Sequence, residues 1–178
     1  MAIEITRRHI LISALPLCSI ACRRPAPDLS DYTEEEPPHL SSSIQVADQR
    51  TASQLLNGWY QVEGNAWRWT AQHFAAVLWP PPGSDRLGAT LEFRLYVPAI
   101  VISLLKAVTI AAAIPGLRFS PETYSQPGDY IYKGDIGPGV LSSDSVRVNF
   151  TLEKAILPGQ LDGRELGVIA RALSLETK

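Results

Sequence analysis

Two stretches of strict period-two alternation constrain this chain more than anything else in it. Across residues 88–97, Leu91, Phe93, Leu95 and Val97 fall on one side, and Thr90, Glu92, Arg94 and Tyr96 on the other. Across residues 145–153, Val146, Val148, Phe150 and Leu152 alternate with Arg147, Asn149, Thr151 and Glu153. Successive side chains of a strand point to opposite faces, so this pattern describes antiparallel strands with one buried and one wet face. From Gln54 on, short apolar runs are punctuated by Gly and Pro in the same manner, which is a strand signature. Strands are expected over residues 55–63, 66–70, 73–79, 88–97, 106–114, 128–136, 145–153 and 165–175, with a turn at Gly64-Asn65. Residues 99–105 are too short a run for periodicity to separate a strand from a helical turn. No stretch after Ala52 keeps a helical period for three turns. Eight or nine short strands predict an all-β fold: a two-sheet antiparallel β-sandwich of jelly-roll type over residues 52–178. The lack of alternating helices excludes a doubly wound nucleotide-binding fold.

The densest chemistry lies at residues 58–70, where three of the four tryptophans sit with Tyr60, Glu63 and Arg68. Trp67 and Trp69 share one strand face and Arg68 takes the other. Sugar rings stack on aromatic faces, and their edge hydroxyls seek charged or amide partners. Trp59, Tyr60, Trp67 and Trp69 are therefore candidate platform residues, and Glu63, Arg68, Arg164 and Glu165 candidate polar partners. The competing reading stays open: strand tryptophans are usually core, and an arginine with nearby carboxylates is usually a structural ion-pair network closing one end of a sandwich. Glu63 and Glu165 can also be imagined as a glycosidase pair, with no further polar constellation to support them. His73, inside an apolar run, reads as a hydrogen-bonded sheet residue. Three scattered histidines and no cysteine beyond Cys22 leave no metal centre, and no glycine motif cradles a phosphate, so no cofactor is expected. From Ala52 onward eleven basic side chains balance eleven acidic ones, which argues against nucleic acid as a partner.

Several segments recur in fixed order: Gly58-Trp59-Tyr60 with Glu63, Trp67-Arg68-Trp69-Thr70, Tyr124 with Gly128-Asp129-Tyr130, Val146-Arg147-Val148-Asn149-Phe150, and Asp162-Gly163-Arg164-Glu165-Leu166-Gly167. Together they resemble a group of bacterial secreted or lipid-anchored β-sandwich modules that look like carbohydrate-binding, galactose-binding-like jelly rolls. The resemblance covers residues 57–176, and its most specific pieces are Trp-Arg-Trp-Thr and Arg-Glu-Leu-Gly. Where related modules often close the stretch after the central strand with Asn-Gly, this chain has Ile114-Pro115-Gly116. The resemblance implies a sandwich fold and an envelope location, and related modules sit beside glycosyltransferase or glycosidase machinery. The expected role is non-catalytic binding at the cell envelope, with a glycan as the leading ligand class. Two alternatives are an assembly lipoprotein that docks a partner protein through a strand edge or aromatic patch, and a small hydrolase.

The front of the chain reads as an address. Arg7 and Arg8 precede an apolar run from Ile10 to Ala21 that Pro16 interrupts. That run falls short of the roughly 20 residues needed to span a bilayer. A basic start, a short apolar middle and a small residue at Ala21 make an export signal over residues 1–22, of the twin-arginine type or an ordinary secretory one. Ser19-Ile20-Ala21-Cys22 resembles a bacterial lipobox, which makes Cys22 the expected lipidation site and the membrane anchor; plain cleavage and secretion is the alternative. Residues 23–51 read as a linker, since Pro25, Pro27, Pro37 and Pro38 oppose regular structure and Glu34-Glu35-Glu36 and Ser41-Ser42-Ser43 bury little. Mass spectrometry of the mature N-terminus is expected to find an acylated Cys22, and an unmodified N-terminus would refute the anchor.

Overall fold

The computed structural model describes residues 40–178. The export signal, Cys22 and the first part of the linker lie outside the described residues. Ten strands make up the architecture: β1 (Ser43–Gln45), β2 (Leu55–Glu63), β3 (Trp67–Leu78), β4 (Ala89–Val97), β5 (Val108–Ile114), β6 (Leu117–Arg118), β7 (Glu122–Tyr124), β8 (Gly128–Ile136), β9 (Val146–Leu152) and β10 (Ile169–Thr177). Two short helices, α1 (Ser84–Leu87) and α2 (Ala99–Leu105), flank β4. Among the described residues every strand pairing is antiparallel. The fold is an all-β, jelly-roll-like sandwich.

The layers follow from the pairings. One layer runs β8–β4–β10, with β1 and the first residues of β3 along the other edge of β10. The second runs β2–β3–β9–β5, with β6 and β7 both on the far edge of β5. Phe93 of the first layer meets Phe74 and Phe150 of the second at ring-centroid distances of 5.5 and 4.9 Å, and Phe74 stacks on Phe150 at 4.9 Å. Such aromatic pairs add about 0.5–1.5 kcal/mol each beyond the area they bury. Tyr132 of β8 also crosses the core: its hydroxyl donates to the Ser120 carbonyl and accepts from the Ala112 amide. The alternation in β4 and β9 puts Leu91, Phe93, Leu95, Val97, Val146, Val148, Phe150 and Leu152 in the core as expected.

Three local expectations need correction, and one left open is decided. The segments 66–70 and 73–79 are one twelve-residue strand, β3, because Ala71 and Gln72 contain nothing that breaks a strand. The folded body starts earlier than residue 52: β1 pairs with β10, Ile44 and Val46 are fully buried, and Gln49–Gln54 forms a 3-10 helix. The polar serines around Ile44 hid a strand too short to show a period. The last strand starts at Ile169, since Leu166 bridges to Ile156 and the Gly167 amide bonds to the Thr70 carbonyl. Residues 99–105, which periodicity left open between strand and helical turn, are helical, with Val101 turned inward and Lys106 ending the helix at φ +70°.

Gly58 shows how tightly β2 lies on β3. Its φ is +75°, and a Cβ there would sit 2.1 Å from the His73 carbonyl oxygen. The register of the pair slips between Asn57 and Trp59, so the glycine supports a bulge. Gly116 has a similar φ of +79° with nothing near its Cβ position. Chemical denaturation should show Gly58→Ala losing more than about 2 kcal/mol, against about 1 kcal/mol for Gly116→Ala; equal losses would refute the close approach.

Candidate functional site

The aromatic stretch divides between core and surface. The bulge at Gly58 turns Trp59 inward, where its ring meets Phe74 edge-on at 5.0 Å and Phe93 at 6.3 Å. Its indole N–H donates to the Ala75 carbonyl at 2.7 Å, so its polar handle is spent inside while the ring stays half-buried. Trp69 is 7% exposed and belongs to the core. Trp67 is half-buried beside the Gly64 turn and packs edge-on against Trp69 at 6.3 Å, on the shared face expected of the pair. Of the four aromatic candidates Trp69 alone is buried in the core; Trp59, Tyr60 and Trp67 are each half-buried, and Trp59 already has its indole N–H and one ring edge engaged inside.

The polar candidates separate in the same way. Arg68 donates to the carbonyls of Val46 at 2.6 Å and Tyr60 at 2.8 Å; burial pushes its pKa below the ordinary value. It thus ties the segment after β1 to β2. Glu165 was expected beside an arginine. Instead its carboxylate accepts the Gln72 amide at 2.7 Å. Arg164 holds Glu63 at 2.7 Å and Asp162 at 2.7 Å, with its guanidinium 5.3 Å above the Tyr60 ring. Hydrogen bonds from Arg164 hold the Asp162 carboxyl below its usual pKa. This half-exposed network is the ion-pair closure that competed with the platform reading, with Asp162 in the place foreseen for Glu165. The acid pair Glu63 and Glu165 is split between two structural roles.

A different face carries unspent polar chemistry. An open groove of about 710 Å³ lies on the outer side of the β8–β4–β10 layer, with Ser43 and Gln45 of β1 along one wall. Its floor combines Arg94 from β4, Arg171, Ser174 and Glu176 from β10, and Asp129 from β8. The β4–β10 register shifts between Ala170 and Ala172, and the extra residue, Arg171, turns outward. A bulge that re-aims one side chain in this way is a recurrent feature near binding sites. Arg171 then pairs with Asp129 at 3.0 Å and lies 5.7 Å from the Tyr96 ring centre. One row along, Glu92 lies buried beneath Lys133 at 2.6 Å and Arg94 at 3.6 Å. The wet face of residues 88–97 already indicated Arg94 and Tyr96. Arg171 was missed because a bulge breaks the period that sequence reading relies on.

On the opposite layer, the His73 ring nitrogen meets the Thr151 hydroxyl at 3.3 Å, a sheet contact as expected of it. Among the described residues no three of His, Cys, Asp and Glu converge as metal ligands, and no helix is long and apolar enough to cross a membrane.

No family model matches the chain, and no curated protein matches it. Among solved structures it is similar to a carbohydrate-binding module, "CBM4 structure and function", over 81% of this chain and 90% of that one, at 12% identity and a TM-score of 0.37.

Proposed function

We propose that this protein is a non-catalytic binding module of the bacterial cell envelope, lipid-anchored through Cys22, and that the outer groove of the β8–β4–β10 layer holds a glycan. The observation that carries this reading is the groove itself. It gathers guanidinium, carboxylate, amide and hydroxyl groups from four strands on one open face. Hydroxyl-rich ligands are recognised by such mixed donors and acceptors, and strands hold them with little ordering cost. Tyr96 stands at the groove's margin, where the Arg171 guanidinium lies over its ring. The hydrolase reading loses its acid pair, since Glu63 and Glu165 are committed to Arg164 and to the Gln72 amide. One feature favours the partner-protein reading instead: Trp79 is 43% exposed, next to a shallow hollow lined by Pro80, Pro81 and Leu141.

Affinity electrophoresis of the full chain through a panel of soluble polysaccharides tests the proposal. Retention by at least one polymer is expected, weakened at least about fivefold by Arg171→Ala, the scale of one lost hydrogen bond of about 1 kcal/mol. Trp67→Ala should leave retention intact. A folded protein that no polysaccharide retains would overturn the glycan reading, and a Trp79-dependent protein partner would then replace it.

A further inference from the structure

We infer that the ligand of this groove is an anionic saccharide, one carrying a carboxylate or a sulfate, and that Arg94 is the residue that reads the charge. The inference rests on the groove being a glycan site. Its basis is the way the charges on this face pair among themselves. Lys133 takes one oxygen of Glu92 at 2.6 Å, and Arg171 takes Asp129 at 3.0 Å. Both pairs are at hydrogen-bond length. Arg94 is the cation left over. Among the described residues its guanidinium meets one carboxylate, the other Glu92 oxygen, at 3.6 Å, beyond hydrogen-bond length.

Position strengthens the point. Arg94 sits mid-groove, opposite Ala172 on β10 and Ile131 on β8. Neither neighbour offers a side-chain acceptor, so apart from the long contact to Glu92 its fork is open to whatever enters the groove. Its side chain is 59% exposed, yet its base is fixed in the central strand of the layer. A guanidinium fork matches the two oxygens of a carboxylate or sulfate, and such charge-assisted pairs are about twice as strong as neutral hydrogen bonds. Glu176 lies four residues along β10 from Ala172, about 13 Å at ~3.3 Å per residue. That carboxylate, whose oxygen accepts from the Ser174 hydroxyl, is far enough from Arg94 to serve sugar hydroxyls instead of competing for the guanidinium. The groove therefore has a cationic centre and a hydroxyl-accepting end.

The test compares retention on dextran, polygalacturonate and dextran sulfate for the full chain and three variants: Arg94→Gln, Arg94→Lys and Arg147→Gln. Arg147 lies on the outer face of the other layer and donates to Asn149 and Asn57, so its variant removes the same charge away from the groove. The expected result is retention by polygalacturonate or dextran sulfate and none by dextran, with the two anionic arms telling carboxylate from sulfate. Arg94→Gln should weaken that retention about tenfold, in line with a lost hydrogen bond to a charged group. Arg94→Lys should recover it in part, and Arg147→Gln should leave it unchanged. Retention by dextran that Arg94→Gln does not alter would overturn the anionic ligand while leaving a glycan site in place. Equal loss in Arg94→Gln and Arg147→Gln would reduce the effect to general charge attraction and also overturn it. No retention by these or any other polymers would remove the glycan reading itself.

Discussion

The whole sandwich depends on one strand changing layers. The first residues of β3 pair with β10, and its last six pair with β9. Between the two, around Thr70 and Gln72, the backbone leaves one ladder before it has fully joined the other. Buried amides and carbonyls left unpaired there would cost about 1–3 kcal/mol each. The chain resolves this with a local set of bonds. The Thr70 amide donates to Val168, the Gly167 amide to Thr70, and the Val168 amide to the Thr70 hydroxyl at 3.2 Å. Glu165 accepts the Gln72 amide, while the Gln72 side chain reaches the carbonyls of Leu152 and Glu153. Thr70 is fully buried, and a Cβ on Gly167 would lie 2.4 Å from Leu152. The segment Arg164-Glu165-Leu166-Gly167 is therefore the seal of this crossing, which explains its composition without any ligand.

The same structural device, a bulge, serves opposite ends in the two layers. At Gly58 it turns Trp59 into the space between Phe74 and Phe93, adding a large side chain to an aromatic cluster that already joins the layers. At Arg171 it turns a cation out of β10, next to Asp129 and Tyr96. The first enlarges the core; the second decorates an open face. Without the second bulge, strict alternation would put Arg171 on the same side as Leu173 and Leu175, both buried.

Much of this was legible from residue order alone. Gly88–Val97 and the stretch around Val146–Leu152 carry their apolar residues in a clean period of two, and the structure buries every one of them, with Glu92 the one wet-face residue that is also covered. The Gly64-Asn65 turn was legible too, since both residues take positive φ, at +57° and +54°. What the sequence hid is tertiary. Trp59 and Trp67 are eight residues apart and both half-buried, yet Trp59 reaches Phe74 and Phe93 between the layers while Trp67 packs on Trp69 beside the Gly64 turn, because a bulge precedes the first. Glu165 follows Arg164 directly, but the ion pair forms with Glu63 and Asp162, while Glu165 turns to a backbone amide from a different strand. The partners of Trp59 depend on how β2 lies on β3, and those of Glu165 and Glu63 on segments that meet across more than 90 positions of chain.

The two charged clusters differ in what the fold asks of them. Arg68 and Glu165 bond to backbone groups of distant segments, so the fold itself uses their charges. The groove charges bond to one another: Arg171 to Asp129 and Lys133 to Glu92, with side chains mostly exposed apart from Glu92. Exposed pairs of this kind contribute at most about 1 kcal/mol each, screened further by salt, and burying Glu92 beneath its cations offsets part of even that. The core under this face is complete without them, since Leu91, Phe93, Leu95 and Leu173 are closed to solvent. A rigid layer whose outer side chains contribute little to its stability is free to vary them. On a scaffold of this kind outer-face residues such as Arg94 can change without disturbing the core, and the strands beneath fix only where those residues stand.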